Sequence, residues 1–512
     1  MVELAERLIE GPVSGVLAPA STDASRQMFL VGQSRVELAL DDRPFLTERL
    51  FGGVGQAADD RRRGKVGVVH RALEPRQRVR AARVDERTKE LHQPNVHIAI
   101  MPLSDARRYV IVGNGFAGTT AAEQLRKHDA ACEITLFGDE PYPLYNRISL
   151  PPMLRKQIPE EKVMMRDLAA HEELRIDLRL GTPVEAIDVA GRTVLAAGRE
   201  YPFDALLIAT GGRPNPAPAL GATGAHNVYN FQYLDDTRAI SEQIDRSKSA
   251  VAVGGSFIAY ELAEAFAARK IETHWIIRGP HVLHRLLDEV AGEFVDEAAR
   301  IDGVHMHYGE EVEEFVHANG AVAKVRTKKG TEIAADCYGV GFGLTMNVEL
   351  VANTPIVSSK NGILCNDHLE TSVPGIYAAG DIADFYDPIL EMRYRMGTWN
   401  NAGAHGKVVA QNMMGGSEKY HDVPEYSSLL FKGQTITQFG LSPDLQPDLE
   451  IARKVDREKR WYRALFFWQD RLVGGIMLGK GNRAGKRKYV EAIRSKERFP
   501  KPQWEAMLDW TA

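Results

Sequence analysis

Only three cysteines occur in 512 residues, Cys132, Cys337 and Cys365, far apart and without a C-x-x-C pair. That spacing leaves no dithiol to act as a redox relay, and it argues against a disulfide framework or a thiolate metal site. Each cysteine reads as a small buried or half-buried side chain, and no metal is expected. No apolar run approaches the roughly 18 residues that a membrane span needs, and no charged-then-apolar segment opens the chain. The expected address is cytoplasmic. An excess of positive charge is also missing: the formal net charge is −5, which gives no electrostatic footprint for nucleic acid. Hydrophobic content of 44% and charged content of 26% are those of a globular protein, and the length calls for roughly two to four domains.

Residues 1–100 lack tyrosine, tryptophan and cysteine, and they hold 14 Arg against 2 Lys. Arg61-Arg62-Arg63 and the stretch around Arg76, Arg78, Arg80 and Arg83 carry charge without periodicity. The 14 acidic residues reduce the net charge of the segment to +2, unlike a transit peptide. No sustained helical or strand pattern emerges. Met101-Pro102-Leu103-Ser104-Asp105 precedes the first clear strand by the few residues usual at an amino terminus. Residues 1–103 are expected to be a disordered extension, or a start-site artefact with translation beginning at Met101.

What the chain does possess, twice, is an apolar strand running into a glycine turn and a helix. In the first copy, Tyr109-Val110-Ile111-Val112-Gly113-Asn114-Gly115-Phe116-Ala117-Gly118 is a G-x-G-x-x-G, followed by a helix from Thr119 to Lys127. Gly113 makes the turn, Gly115 admits a pyrophosphate to the backbone, and Gly118 lets helix and strand pack closely. The helix amino terminus favours the anion. A second strand, Ile134-Thr135-Leu136-Phe137, ends at Asp139-Glu140, and one of these carboxylates is placed to bind ribose hydroxyls.

The run Gly138-Asp139-Glu140-Pro141-Tyr142-Pro143-Leu144-Tyr145-Asn146-Arg147-Ile148-Ser149-Leu150 resembles the pyridine nucleotide–disulfide oxidoreductase class of flavoproteins. Within that class it is most similar to rubredoxin and ferredoxin reductases and to the flavin domain of the nitrite reductase large subunit. Leu206-Leu207-Ile208-Ala209-Thr210-Gly211, Pro374-Gly375-Ile376-Tyr377-Ala378-Ala379-Gly380-Asp381 and Trp399-Asn400-Asn401-Ala402 match further motifs of the class. The resemblance covers about residues 106–490 and implies bound FAD. It implies that Phe116, Ala117, Val184, Thr210, Gly211, Gly380, Asp381, Trp399 and Asn400 join the first glycine turn, Asp139, Glu140 and Arg147 in holding that cofactor. Asp381 would bond the ribityl chain, Trp399 would border the ring, and the guanidinium fork of Arg147 suits a diphosphate.

The second copy is altered. Val251-Ala252-Val253-Gly254-Gly255-Ser256-Phe257-Ile258-Ala259-Tyr260-Glu261 has Ser256 and Ala259 at its second and third glycine positions. By resemblance this is the NAD(P)H domain, with Gly254, Gly255, Ser256, Phe257, Ile258, Arg278 and Gly341 at the nucleotide and Glu261 near the nicotinamide and flavin edge. The Ser256 side chain is expected to crowd the pyrophosphate. Ile277 stands where NAD-dependent members place a ribose-binding carboxylate, and Arg278 follows it, so NADPH is expected to serve at least as well as NADH. Thr345-Met346 replaces the usual Arg-Pro of the Gly341–Asn347 loop. Where ferredoxin reductases carry a flavin-contacting lysine, direct register gives Pro152, with Arg155 and Lys156 displaced from it.

From about Tyr426 the chain reads as short strands, Thr435–Phe439, Trp461–Phe467 and Leu472–Gly479, and a helix from Lys486 to Ser495. Lys480, Arg483, Lys486, Arg487 and Lys488 form a basic cluster that is either a solvated face or a docking patch for an acidic carrier. The expected fold is α/β: two Rossmann-like, glutathione-reductase-like dinucleotide domains and a carboxyl-terminal α/β domain. The expected boundaries are 104–222 with 350–425 for FAD, 223–349 for NAD(P)H, and 426–512 for the last domain. The expected function is electron transfer from NAD(P)H through FAD to a ferredoxin- or rubredoxin-like carrier, with no side chain acting as nucleophile. The alternatives are an FAD-bearing subunit of a larger complex with a decayed nicotinamide site, and an oxidase or small-molecule reductase.

Overall fold

The computed structural model describes residues 26–31, 34–39 and 106–511, less 218–220, 223, 388, 430, 444 and 447. It comprises two units, Met1–His97 and Ile98–Ala512. In the first unit an antiparallel hairpin pairs Arg26–Val31 with Ser34–Ala39. The sequence reading finds no strand there, because the apolar run Met28-Phe29-Leu30-Val31 is only four residues long. The rest of the expected extension, and Met101 itself, lie outside the described residues.

The second unit is built on two parallel sheets of the same design. In the first, the order is Ile376–Ala378, Ala205–Ile208, Arg108–Val112, Glu133–Phe137, Ile176–Arg179. In the second it is Val228–Tyr229, Cys337–Val340, Ser249–Val253, Glu272–Ile277, Val304–Tyr308. Every neighbouring pair in both sheets is parallel. Parallel strands are covered on both faces, so they read as unbroken apolar runs, and Val110, Ile111, Leu206, Leu207, Val251 and Ala252 are all buried. Each sheet also carries a three-stranded antiparallel meander, at 184–202 in the first and 312–334 in the second. This α/β architecture, with its separate carboxyl-terminal part, is the one the sequence leads one to expect.

The chain crosses between the two sheets on a narrow ribbon, Gly212–Pro214 antiparallel to Leu344–Met346. Asn347 locks the ribbon to the first sheet: its Nδ2 donates to the Thr210 carbonyl at 2.8 Å, and the Thr210 hydroxyl donates to the Asn347 carbonyl at 3.1 Å. After residue 424 a five-stranded antiparallel sheet follows, ordered Glu425–Leu429, Thr435–Gly440, Arg471–Leu478, Trp461–Trp468, Glu450–Asp456. The helix Lys486–Ser495 packs on it. The sequence reading misses the edge strand Glu450–Asp456, which is largely exposed and so lacks an apolar alternation. All three cysteines are unpaired and buried. Among the described residues no helix is long and apolar enough to cross a membrane.

Candidate functional site

The carboxyl ends of both parallel sheets open into one cavity of about 1810 Å³. Open α/β sheets bind ligands at this end, where the strand order reverses. On the first sheet, Gly113 has φ +117°, and a Cβ there would lie 2.2 Å from the Ala209 carbonyl oxygen. A Cβ on Gly118 would lie 1.9 Å from the Gly113 oxygen. Both positions are closed to a side chain, for turn and packing respectively. Gly115 is different: nothing lies within 4 Å of its Cβ position, and it is the N-cap of the helix Phe116–His128 with no side chain covering the end. An open cradle at a bare helix amino terminus suits a pyrophosphate.

Asp139 and Glu140 both border the cavity. Both oxygens of Glu140 are engaged, one by Arg147 Nη2 at 2.6 Å and the other by the Tyr145 hydroxyl, which donates at 2.6 Å. Arg147 also donates to the Gln232 carbonyl at 3.1 Å and lies over the Tyr233 ring. Its fork is thus fixed on the cavity wall before any ligand arrives. Asp381 lines the cavity with no hydrogen-bond partner among the described residues. Burial pushes its carboxyl upward, against the charges of Arg395 and Arg147. A half-buried acceptor of this kind fits a ligand hydroxyl.

Trp399 begins the helix Trp399–Met413 and lines the cavity, but one of its faces is covered by Phe116, with ring centroids 4.2 Å apart and planes 8° from parallel. The Phe116 ring in turn fills the space where a Cβ on Gly403 would lie. Val184, Thr210, Gly211, Gly380, Asn400, Phe116 and Ala117 also line the cavity, whereas Gly118 does not. Behind Gly380, which has φ +77°, buried His405 accepts the Gly380 amide on Nδ1 at 3.2 Å. Burial lowers the His405 pKa to about 3, so the ring is neutral. Neither His405 nor Arg395 stands at a spacing that marks it in the sequence.

On the second sheet, Gly254, Gly255, Ser256, Phe257, Ile258, Glu261, Arg278 and Gly341 line the same cavity. Gly254 repeats the Gly113 geometry, with φ +129° and a Cβ position 2.5 Å from the Gly341 oxygen. The Ser256 hydroxyl is turned into the fold: it accepts from the Ala259 amide at 3.4 Å and donates to the Gly341 carbonyl at 3.3 Å. It caps the helix Phe257–Ala268. Ile277 is buried beneath the turn, while Arg278 is exposed at the cavity rim. No carboxylate within ion-pair distance of Arg278 or Arg285 occurs among the described residues. His284 lies over Gly279, its Nδ1 buried without a hydrogen-bond partner. Burial and the neighbouring His281, Arg285 and Arg278 hold its pKa below the usual histidine value. Glu310 and Glu311 border the same end, Glu311 paired with Lys328 at 2.7 Å.

Glu261, on the helix Phe257–Ala268, lines the cavity. Burial pushes its carboxyl up to about 8, partly offset by the charge of Arg155. Arg155 lines the cavity too, and its Nη1 is 2.7 Å from Oε2 of Glu264, both side chains almost wholly buried. Direct register discounts Arg155; the short helix Leu150–Leu154 ends just before it and brings it round to the cavity all the same.

The model of the family described as pyridine nucleotide-disulphide oxidoreductase matches residues 107–406. The ferredoxin–NAD(+) reductase component of the p-cumate 2,3-dioxygenase system of Pseudomonas putida is 34% identical over 318 residues, 62% of this chain and 77% of that protein. The nitrite reductase [NAD(P)H] of Bacillus subtilis is 29% identical over 390 residues, 74% of this chain but 46% of that protein, so the chain spans about half of its length. The crystal structure of the covalent putidaredoxin reductase–putidaredoxin complex superposes with a TM-score of 0.73 at 25% identity, over 78% of this chain and 95% of that one. With matched glycine turns, parallel sheets and more than half of its length under one family model, this chain belongs to the pyridine nucleotide-disulphide oxidoreductase family.

Proposed function

We propose that the protein is an FAD-dependent NAD(P)H oxidoreductase that delivers electrons to a ferredoxin- or rubredoxin-like carrier. The observation that carries this reading is one cavity lined by both glycine turns and by Glu261 and Arg155. Similarity to proteins named as ferredoxin and rubredoxin reductases supports the carrier. Bound in the first half, FAD supplies hydride acceptance and release of electrons. The residues of the chain bind and orient. The Gly113–Gly115 turn and Arg147 would meet the diphosphate, Asp139 or Glu140 the ribose, and Asp381 the ribityl hydroxyls. Val184, Thr210, Gly211, Trp399 and Asn400 would complete the wall.

In the second half the Gly254–Ser256 turn would hold the nicotinamide dinucleotide. Arg278, which makes no ion pair among the described residues although its charge reaches Glu311, would offer its donors to a 2′-phosphate, and Ile277 offers no repulsion, so NADPH would serve at least as well as NADH. The domain division proposed is 104–222 with 350–425 for FAD, 223–349 for NAD(P)H and 426–512 for the last domain. Anaerobic mixing of the purified yellow protein with NADPH or NADH tests the function: the visible flavin band bleaches within seconds. A band that neither coenzyme bleaches overturns it. That outcome would favour an FAD-bearing subunit of a larger assembly, a reading supported by the half-length match to nitrite reductase.

A further inference from the structure

Just past the strand Ile376–Ala378 the Ala379 amide donates to the Ile208 carbonyl at 3.1 Å, and there the chain leaves the first sheet. The next residue, Gly380, turns it at φ +77°, where a Cβ would lie 3.2 Å from that of Ala117. A turn of this hand is open to glycine and strained for other residues. The buried amide of Gly380 is taken by a side chain, donating to Nδ1 of His405 at 3.2 Å. Asp381 follows directly. It lines the cavity and makes no hydrogen bond among the described residues, so its direction is set by the backbone beneath it. Gly397 leaves room for its carboxyl, since a Cβ there would lie 3.1 Å from Asp381 Oδ2.

Imidazole is a poor filler for the place that His405 occupies. The ring is fully buried, with Phe385 and Tyr420 edge-on to it at centroid distances of 4.7 and 4.6 Å. With Nδ1 accepting, the ring proton sits on Nε2, and that atom is buried with no hydrogen-bond partner among the described residues. A stranded N–H is destabilising, and an apolar side chain would avoid it. What imidazole offers here and leucine does not is the acceptor for Gly380. The ring stays unprotonated, and so able to accept, down to about pH 3. His405 stands on the helix Trp399–Met413, whose first turn puts Trp399 and Asn400 on the cavity wall. Four residues before it on the same face, Asn401 donates to the Met396 carbonyl at 2.7 Å and accepts from the Tyr420 hydroxyl at 2.6 Å. The bond to Gly380 thus ties the turn to the helix that carries another part of the cavity wall. We propose that His405 is a positioning residue: through Gly380 it aims the Asp381 side chain into the cavity, toward the hydroxyls of the flavin ribityl chain. It touches no ligand itself. The inference rests on the FAD reading above.

The test is made on the full chain, stripped of flavin and titrated with FAD, with the quenching of flavin fluorescence reporting Kd. His405→Leu should weaken FAD binding about tenfold. His405→Asn, whose Oδ1 overlays Nδ1, should restore it to within about threefold. Asp381→Ala should weaken binding at least as much as His405→Leu, and the two together should be no weaker than Asp381→Ala alone. Losses that multiply, or an asparagine variant as weak as the leucine one, overturn the proposal: packing, not aim, is then what the imidazole supplies. Nitrogen NMR of the wild type gives a readout that needs no variant: His405 should show an unprotonated Nδ1 and a slowly exchanging Nε2–H. A proton on Nδ1 overturns the proposal even if His405→Leu fails to fold. A wild-type chain that takes up no FAD sinks the cofactor reading itself, whereas full uptake with multiplied losses sinks only the role of His405.

Discussion

Arg278 and Glu261 line the cavity and neutral His405 stands behind Gly380, and each can be tested singly. Arg278 at the rim makes no ion pair among the described residues, although its charge reaches Glu311, and a partly exposed arginine–phosphate pair is worth about 1–2 kcal/mol. Arg278→Ala should therefore raise the KM for NADPH roughly five- to thirtyfold and the KM for NADH much less, measured by steady-state reduction of ferricyanide; equal changes would remove the 2′-phosphate from this site. His405 is a neutral base in the fold, with its pKa lowered from 6.5 to about 3. The unfolded chain therefore binds the extra proton first, and stability is lost as pH falls below 6.5 towards 3. Urea unfolding should show a weaker acid loss in His405→Gln than in the wild type. Glu261 works in the opposite direction: its folded pKa is raised from 4.5 to about 8, so stability declines as pH rises through that window. Glu261→Gln should melt roughly 2–4 °C above the wild type at pH 8.5.

At the level of single elements, the two strand–turn–helix units show why some of the site is legible in sequence and some is not. Gly113 and Gly254 are forced by backbone contact from the next strand, so a simple spacing rule finds them. Gly113→Ala would set a Cβ against the Ala209 carbonyl at positive φ, and flavin content on purification should collapse. Ser256 is legible only as a departure from the pattern. The direction of its hydroxyl, into the cavity or into the fold, is a rotamer choice that spacing does not encode. The fold uses it as a helix cap bonded to Gly341. Ser256→Ala should cost about 1 kcal/mol in urea unfolding, while Ser256→Gly should cost only a few tenths. An unchanged stability in Ser256→Ala would mean that the cap contributes nothing. Arg155 shows the other limit. Matching the motif position by position puts Pro152 where the basic residue is expected and passes over Arg155, whose guanidinium, just after the helix Leu150–Leu154, reaches Glu264. The stacking of Phe116 on Trp399 is likewise a long-range contact with no local signature.

Over the whole molecule, the basic cluster lies beside the cavity: Lys486 pairs at 2.6 Å with Glu425, a cavity-lining residue. Lys480 and Arg483 have no ion pair among the described residues and are the charges most available to a partner. Lys480→Glu with Arg483→Glu should slow association with an acidic carrier about tenfold at low ionic strength, and the difference should vanish in high salt. A loss that is independent of salt would place the docking face elsewhere. The paired sheets were visible in the sequence because each repeats an apolar strand and a glycine turn. The ribbon that joins them was not, since Gly212–Pro214 and Leu344–Met346 are three-residue strands 130 residues apart in the chain. That ribbon has a consequence for the birth of the protein. The strand Ile376–Ala378 completes the first sheet by pairing with Ala205–Ile208, yet about 170 residues separate them. A ribosome adding roughly 5–20 residues each second holds the amino-terminal half-sheet waiting, one edge open, for roughly 10–30 s. The inserted second sheet has every one of its strands in hand during that interval and can close first. Nascent chains stalled between residues 340 and 376 should therefore protect the later-made sheet from protease before the earlier-made one.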